Sequence, residues 1–204
     1  MVQLQIWAKN LVIKMMTESI KEILKKRNNL SKEQYLDYSN KIYKKIMSLD
    51  EYKKSENLLI FYPYLGEVDV LPVALNALEH GKNVFFPKVT GETTMEFIKV
   101  LKLTEFNEGF KNIKEPIGNE IFDTHNITKK TIMILPGSTY DFHGNRTGYG
   151  KGYYDRYLEN CYKNITKVGV CFELQLLEQI QNIKTTDIPM DYVIYENDIV
   201  RSKK

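Results

Sequence analysis

A chain of 204 residues, 43% hydrophobic and 27% charged, is long enough to bury the core of one soluble globular domain. The net charge of +3, from 29 basic and 26 acidic residues, argues against a general nucleic-acid-binding protein, which would concentrate far more positive charge. No apolar run approaches the roughly 20 residues that span a bilayer, so we expect no membrane partner either.

The cysteines and histidines argue against a stabilising metal or disulfide. Cys161 and Cys171 do not form a C-x-x-C pair, and the three histidines lack metal-ligand spacing. We therefore expect a reducing cytoplasm as the location. The N-terminal stretch is interrupted by polar residues and lacks a small-residue cleavage site, so it does not indicate a signal peptide. A start at Met15 or Met16 would make residues 1–14 an extension.

Two amphipathic helices are predicted near the N-terminus. The first covers about residues 17–28, which are rich in helix formers with apolar residues on one face. The second follows Ser31, which forms an S-x-x-Q capping box with Gln34, and it runs to about Leu49. We expect both helices to pack on the rest of the domain.

Strands and helices alternate along the remainder of the chain. Residues 58–62 and 83–86 are apolar runs closed by prolines, which predicts buried strands; a helix with Pro72 in its first turn and Gly81 at its end separates them. Further strands are predicted at 94–101, 131–135, 167–172 and 191–195, helices at 152–160 and 174–180, and an irregular segment at 104–130. The pattern predicts one domain spanning residues 1–204, an α/β fold with three α/β/α layers around a mostly parallel, Rossmann-like sheet.

A glycine-rich segment follows the strand at 131–135. Its glycines are Gly144, Gly148, Gly150 and Gly152, and we call residues 144–152 the glycine loop. The spacing fits neither the P-loop nor the G-x-G-x-x-G dinucleotide motif. What remains is a set of accessible backbone N–H groups, flanked by Arg146 and Lys151, before a helix. This arrangement is typical of an anion site, or else of a glycine-rich turn that only permits a tight strand-to-helix crossing.

Several side chains near the loop allow two interpretations each. Asp155 lies in the first turn of the following helix, where it either stabilises the helix dipole or serves as an oxygen ligand for Mg²⁺. The tyrosines at 149, 153 and 154 either stack on a planar ring or pack into the core. Glu67 follows the first strand, where α/β folds place ligand contacts, although a solvated loop acid is the alternative and Asp69 also suits a helix cap. His143 is interpreted as a turn residue, and Asp187 and Asp191 as loop and strand-edge acids.

The string P-G-S-T-Y-D-F-H-G-N-R-T-G-Y-G-K-G-Y-Y-D-R-Y-L at 136–158 resembles the signature of the 5-formyltetrahydrofolate cyclo-ligase family, whose members are also called 5,10-methenyltetrahydrofolate synthetases. Tyr140 and Thr147 replace the Phe and Leu usual in the family. The resemblance extends to residues 26–31, 60–69, 81–89, 115–116, 172–175 and 187–191. It therefore covers the chain from about residue 21 onward.

This resemblance implies an enzyme that uses ATP and Mg²⁺ to cyclise 5-formyltetrahydrofolate, and we expect the protein to be a monomer. The formyl oxygen attacks the γ-phosphate, N10 closes the ring, and 5,10-methenyltetrahydrofolate, ADP and phosphate are released. The implied ATP-binding residues are Arg146, Thr147, Gly148, Tyr149, Gly150, Lys151, Gly152, Tyr153 and Tyr154, with Arg146 and Lys151 acting catalytically on the phosphates. The implied folate-binding residues are Tyr62, Glu67, Tyr149, Gly150, Lys151, Gly152 and Tyr153, and the implied Mg²⁺ ligands are Asp155 and Asp187.

The first helix departs from the family pattern. Family members usually carry a Lys and an Arg four residues apart there, both reaching ATP, and these positions fall on Met16 and Ile20 in this chain. Each lost phosphate contact would cost about 1.5–3 kcal/mol. The departure leaves open an alternative, a non-catalytic family member that binds folate or nucleotide.

Overall fold

The computed structural model describes residues 19–109 and 112–202. The helices are α1 (residues 19–28), α2 (Lys32–Ser48), α3 (Asp50–Lys54), α4 (Leu71–Glu79) and α5 (Tyr153–Glu159). The strands are β1 (Asn57–Leu59), β2 (Asn83–Val89), β3 (Met95–Val100), β4 (Phe106–Glu108), β5 (Lys114–Pro116), β6 (Thr131–Leu135), β7 (Thr139–Asp141), β8 (Arg146–Thr147), β9 (Ile165–Val170), β10 (Leu176–Leu177), β11 (Tyr192–Ile194) and β12 (Ile199–Arg201).

Seven of these strands form the central sheet, in the order β12-β11-β9-β6-β1-β2-β3. The five inner strands run parallel to one another, whereas the edge strands β3 and β12 pair antiparallel with β2 and β11. The predicted mostly parallel α/β sheet is therefore confirmed.

Alternating side chains of the inner strands bury both faces of this sheet. Leu58 and Ile132 point into one apolar cluster, which also contains buried residues of α2 and α4. Leu59 and Met133, their neighbours in sequence, point into a second cluster that includes Leu158 of α5. Because successive strand residues face opposite sides, helices cover the sheet on both faces and three layers result.

The predicted helix boundaries are confirmed where local chemistry defines them. The Gln34 backbone N–H donates to Ser31 Oγ at 3.1 Å, and the Ser31 N–H donates to Gln34 Oε1 at 3.0 Å, which completes the capping box of α2. Pro72 lies in the first turn of α4, and Gly81 follows that helix with φ +71°.

The helix predicted at 174–180 is wrong. A 3-10 turn at Glu173–Gln175 leads directly into β10, which pairs in parallel with β7. The buried Gln175 amide donates to the carbonyls of Gly137 and Ser138 at 3.0 and 3.1 Å, and this tertiary contact holds the segment against β7. A long-range hydrogen bond thus overrides the local helical pattern.

Other differences concern strand ends and the segment at 104–130. Strand β2 continues through Pro87. Strand β1 ends opposite Phe85, so β1 offers no residue opposite Pro87 that would require a hydrogen bond from a backbone N–H there. The segment at 104–130 contains a short hairpin of β4 and β5, and the edge strand β12 was not predicted. Strand β9 begins at Ile165, two residues before its predicted start.

Candidate functional site

A cavity of about 370 Å³ lies where the chain leaves the carboxyl end of β6. Its walls are Pro136 and Gly137, residues 146–155, residues 180–184, Asp187 and Ile20. Open α/β sheets bind ligands at this edge, because loops there can vary without disturbing the parallel core. The structure thus brings the glycine loop and both predicted metal ligands to one cavity.

The hairpin of β7 and β8 carries the glycine loop to this cavity, and Asp141 holds the hairpin turn. Its Oδ1 accepts from the N–H groups of His143 and Asn145, each at 2.9 Å. Its Oδ2 accepts from the Asn145 amide and from the Ile180 N–H, also at 2.9 Å. Asp141 is fully buried, so one carboxylate joins two walls of the cavity, and His143 is a turn residue as predicted.

The Tyr140 ring packs against Gly137 and Gly169. This ring is fully buried, and its hydroxyl donates to the Leu135 carbonyl at 2.7 Å. A Cβ at Gly137 would lie 2.7 Å from this ring, and a Cβ at Gly169 only 2.3 Å. The ring therefore requires both glycines, and the tyrosine keeps its hydroxyl satisfied where the family usually has Phe.

The end of the glycine loop depends on left-handed backbone. Gly150 has φ +83° and Gly152 has φ +64°, conformations that strain any residue with a Cβ. Gly152 caps α5, which lacks a side-chain cap and is only seven residues long. Since so short a helix adds little dipole, bound anions must rely mainly on side-chain cations and loop N–H groups. Lys151 is exposed at this point of the loop.

Arg146 and Asp155 form an ion pair inside the cavity. Arg146 Nη2 lies 2.9 Å from Asp155 Oδ1, and the two side chains are 5% and 26% exposed. The guanidinium also lies 5.5 Å from the centre of the Tyr154 ring. Its Nε is buried and has no acceptor among the described residues.

Two side chains of α5 connect the end of the glycine loop to the turn between β2 and β3. The Tyr153 hydroxyl donates to the Glu92 carbonyl at 2.9 Å. Arg156 donates from Nε to the Thr93 carbonyl at 2.8 Å and from Nη2 to the Lys151 carbonyl. Sequence reasoning missed Arg156, because an arginine on an amphipathic helix normally indicates a solvated face.

Tyr149 of the glycine loop and Tyr154 of α5 have different surroundings. Tyr154 contacts Phe97 edge to face, with ring centroids 6.5 Å apart, and packs on the second apolar cluster. Tyr149 is 54% exposed, and its hydroxyl donates to Glu67 Oε1 at 3.3 Å. The core interpretation therefore describes Tyr154, while Tyr149 bridges the glycine loop and the acid at the end of β1.

Glu67 is a buried carboxylate, only 6% exposed. Burial raises its pKa to about 7, and Arg27, the Tyr64 N–H and the Tyr149 hydroxyl oppose that rise. The Tyr64 N–H donates to Glu67 Oε2 at 3.1 Å. Asp69, in contrast, accepts from the Leu71 N–H at 3.1 Å; it precedes Val70, which is the N-cap of α4, so it satisfies the first N–H of the helix without being its cap residue.

Tyr62 and Glu67 lie outside the walls of the 370 Å³ cavity. The Tyr62 ring contacts Phe106 and Phe86, with centroids 5.1 and 6.4 Å away, and so borders the first apolar cluster. Glu67 connects to the cavity through Tyr149, which lines it. The predicted folate residues 149–153 thus line the same cavity as the predicted ATP residues, whereas Tyr62 and Glu67 lie outside it.

Asp187 lines the cavity close in sequence to residues 180–184, which also line it. Its Oδ2 accepts from the Lys184 N–H at 2.8 Å, which orders the tight turn that contains both residues. Within residues 19–109 and 112–202, no group of three or more His, Cys, Asp or Glu side chains is arranged to hold a metal. Asp155 and Asp187 therefore offer two carboxylates at one cavity and no complete protein cage.

Ile20 of α1 lines the same cavity. The position at which the family would place a cation therefore does face the predicted ATP site, and an apolar side chain occupies it. Met16, the other position of the pair, lies outside the described residues. Lys184 contributes a further cation to the cavity wall.

The fold and the cavity define an α/β protein whose sheet carries, at its carboxyl edge, a cavity lined by both cations and carboxylates. Residues 12–196 match the model of the 5-formyltetrahydrofolate cyclo-ligase family. The chain belongs to this family, as its motifs predicted.

Relatives and solved structures agree with this membership. The chain is 30% identical over 181 residues to a probable 5-formyltetrahydrofolate cyclo-ligase of Caenorhabditis elegans, covering 84% of this chain and 87% of the relative. It is 28% identical over 192 residues to the Mus musculus 5-formyltetrahydrofolate cyclo-ligase, covering 86% and 91%. The NMR structure of Aquifex aeolicus 5,10-methenyltetrahydrofolate synthetase superposes with a TM-score of 0.80 at 32% identity, covering 92% and 93%. These matches support the predicted enzyme class, a ligase of folate one-carbon metabolism. Among the described residues, no helix has the length and apolar character needed to cross a membrane.

Proposed function

We propose that this protein closes the ring of 5-formyltetrahydrofolate to give 5,10-methenyltetrahydrofolate, at the expense of ATP. The observation that carries the proposal is the convergence of two cations and two carboxylates at one cavity: Arg146 and Lys151 with Asp155 and Asp187. Cations suit phosphate oxygens, and paired carboxylates suit the magnesium that accompanies them.

The triphosphate would lie along the glycine loop. Arg146, which lines the cavity, would donate to phosphate oxygens, and exposed Lys151 would reach the γ-phosphate from the tip of the loop. Thr147, Gly148, Gly150, Gly152, Tyr153 and Tyr154 would complete the nucleotide cradle. The left-handed glycines leave backbone N–H groups unobstructed, so positioning is the main contribution of the loop.

Asp155 and Asp187 would hold Mg²⁺. Magnesium usually takes one or two carboxylates and completes its shell with phosphate oxygens and water, which fits a cavity offering two carboxylates. When bound, the ion would neutralise charge on the transferring phosphoryl group. Asp155 pairs with Arg146 in the structure. On nucleotide binding, Arg146 would turn to the phosphates and Asp155 to the metal ion.

The folate would bind beside the nucleotide, against Glu67 and Tyr62. The Glu67 carboxylate would accept hydrogen bonds from N–H groups of the pterin ring, and the Tyr62 ring would contact its face or edge. Tyr149, which touches Glu67 and lines the cavity, would border both substrates together with residues 150–153.

Juxtaposition of the two substrates would account for the reaction. The amide oxygen of the formyl group is a poor leaving group. When this oxygen attacks the γ-phosphate, ADP is released and the oxygen becomes part of a phosphate ester, which leaves more readily. N10 then adds to the activated carbon and loses its proton, and the C–O bond breaks to release inorganic phosphate. The residues named above would align the reacting atoms and neutralise charge, with no protein nucleophile involved.

The test is ATP-dependent appearance of the 5,10-methenyltetrahydrofolate absorbance from 5-formyltetrahydrofolate and Mg²⁺. Ile20 at the cavity favours the alternative, a non-catalytic folate- or nucleotide-binding protein. Turnover that requires ATP supports the enzyme. Binding of either ligand without product, even at enzyme concentrations that match the substrate, would instead establish the alternative.

A further inference from the structure

Arg27, near the end of α1, is a buried cation that the proposed reaction does not yet use. It is 2% exposed, and its Nη2 donates to the Leu65 carbonyl at 2.7 Å and to the Tyr149 hydroxyl at 3.1 Å. Its Nε and Nη1 are buried and have no acceptor among the described residues. A charge held this far from water needs a nearby opposite charge to offset its desolvation.

The Leu65 carbonyl belongs to a strained loop. We call residues 64–67 the Glu67 loop; within it Leu65 has φ +46° and Gly66 has φ +71°. A positive φ is costly for leucine, and the neighbouring structure must maintain it. Gly66 also approaches the end of α1 so closely that a Cβ there would lie 3.0 Å from Asn28 Oδ1. The end of α1 thus clamps the loop that carries Glu67.

The opposite charge is Glu67. The Tyr149 hydroxyl accepts from Arg27 and donates to Glu67 Oε1, so it stands between guanidinium and carboxylate. Within residues 19–109 and 112–202, the side chains that interact electrostatically with Glu67 are Arg27, Tyr149, Tyr35, Tyr140 and Tyr154. Burial raises the pKa of each of these tyrosines, so they stay neutral between about pH 6 and 9, and Arg27 supplies the positive charge.

We infer that Arg27 is a positioning residue of the folate site: it clamps the Leu65 carbonyl and the Tyr149 hydroxyl and presents Glu67 as a charged carboxylate to the substrate. The inference rests on the proposed function for the role of Glu67 toward folate. The clamp and the effect of Arg27 on the Glu67 charge follow from the hydrogen bonds that join Arg27, Tyr149 and Glu67, and they do not depend on the proposed reaction. Arg27 therefore links the Glu67 loop and the glycine loop, which come from distant parts of the chain.

The first readout needs no substrate. A ¹³C NMR titration of the Glu67 carboxyl group is compared between the wild type, Arg27→Gln and Lys26→Gln. Lys26 is the adjacent, exposed cation, so its variant removes the same charge without touching the clamp. We expect Arg27→Gln to raise the Glu67 titration midpoint by about one pH unit or more, and Lys26→Gln to leave it within about 0.2 units. Equal midpoints in the two variants would overturn the inference.

The second readout is the KM for 5-formyltetrahydrofolate as a function of pH, with the KM for ATP measured in parallel. Arg27→Gln should raise the folate KM about tenfold at pH 7 and less at pH 9, where Glu67 is ionised again, with a smaller change for ATP. Proportionate losses for both substrates at every pH would indicate a purely structural role and overturn the inference. If wild-type protein forms no product while the NMR midpoints still separate, the proposed reaction fails and the charge effect stands.

A third variant covers a failure of Arg27→Gln to fold. Arg27→Lys keeps the charge but cannot hold the Leu65 carbonyl and the Tyr149 hydroxyl with one planar group. We expect its Glu67 midpoint to stay close to that of the wild type while the folate KM rises severalfold. A lysine variant with a wild-type folate KM would show that the clamp has no positioning role.

Discussion

The glycine loop and the Glu67 loop lie at the same edge of the sheet but are built in opposite ways. The glycine loop presents exposed Lys151 and a paired Arg146 to an open cavity, and its anchors, Asp141 and the left-handed glycines, lie close in sequence. The Glu67 loop instead buries its carboxylate and depends on α1 for its shape. The first arrangement suits a highly charged ligand that brings its own counterion, and the second suits a neutral ring that needs a few well-placed acceptors.

The largest effect should follow from Arg146→Ala. The variant loses two charge-assisted hydrogen bonds to phosphate, each worth about 1.5–3 kcal/mol, so kcat/KM for ATP should fall about 100-fold or more. The KM for 5-formyltetrahydrofolate should change much less. Arg201→Ala, which removes an exposed arginine of β12, is the control. Unchanged ATP kinetics in Arg146→Ala would remove this residue from the phosphate site.

Glu67→Gln should remove a loss of stability that the wild type suffers as pH rises. Burial raises the pKa of Glu67 from 4.5 to about 7, so its neutral form contributes stability that is complete below pH 4.5 and is lost as pH rises through about 7. Glutamine keeps the neutral form. Chemical denaturation should show the variant gaining about 3 kcal/mol over wild type at pH 8.5, relative to their difference at pH 4. Exposed Glu108→Gln should gain nothing, and a pH-independent difference for Glu67→Gln would contradict the account.

Asp155→Asn should raise the Mg²⁺ concentration needed for half-maximal activity about tenfold, because an amide oxygen binds the ion less strongly than a carboxylate. The measurement is a magnesium titration at saturating ATP. Glu159→Gln, at the exposed end of the same helix, controls for a general change in charge. An unaltered titration would mean that Asp155 only stabilises the helix and pairs with Arg146.

Lys184→Gln should have the smallest effect, a rise of about two- to fivefold in the KM for ATP. Lys184 is an exposed cation that lines the same cavity as Ile20, and exposed charges contribute at most about 1 kcal/mol. Lys163→Gln, an exposed lysine away from the cavity, should leave the KM unchanged. Equal KM values for ATP in the two variants would show that Lys184 does not compensate for the apolar residue at position 20.

The two loops also differ in how far the sequence predicts them. The parallel sheet, the capping box at Ser31 and the glycine loop follow from neighbouring residues, and all were predicted. The Arg27 clamp was not, because Arg27 lies 38 residues from Leu65 and 122 from Tyr149, and an arginine in a lysine-rich helix looks like part of a solvated face. The 174–180 helix failed for the same reason, since Gln175 forms its hydrogen bonds 37 and 38 residues away.

A crystal structure with Mg²⁺, a non-hydrolysable ATP analogue and 5-formyltetrahydrofolate would test the division between the two loops most directly. We predict phosphates against Arg146 and Lys151, the metal between Asp155 and Asp187, and pterin N–H groups on the Glu67 carboxylate. A pterin ring inside the glycine-loop cavity, or a triphosphate bound away from residues 146–152, would contradict this account.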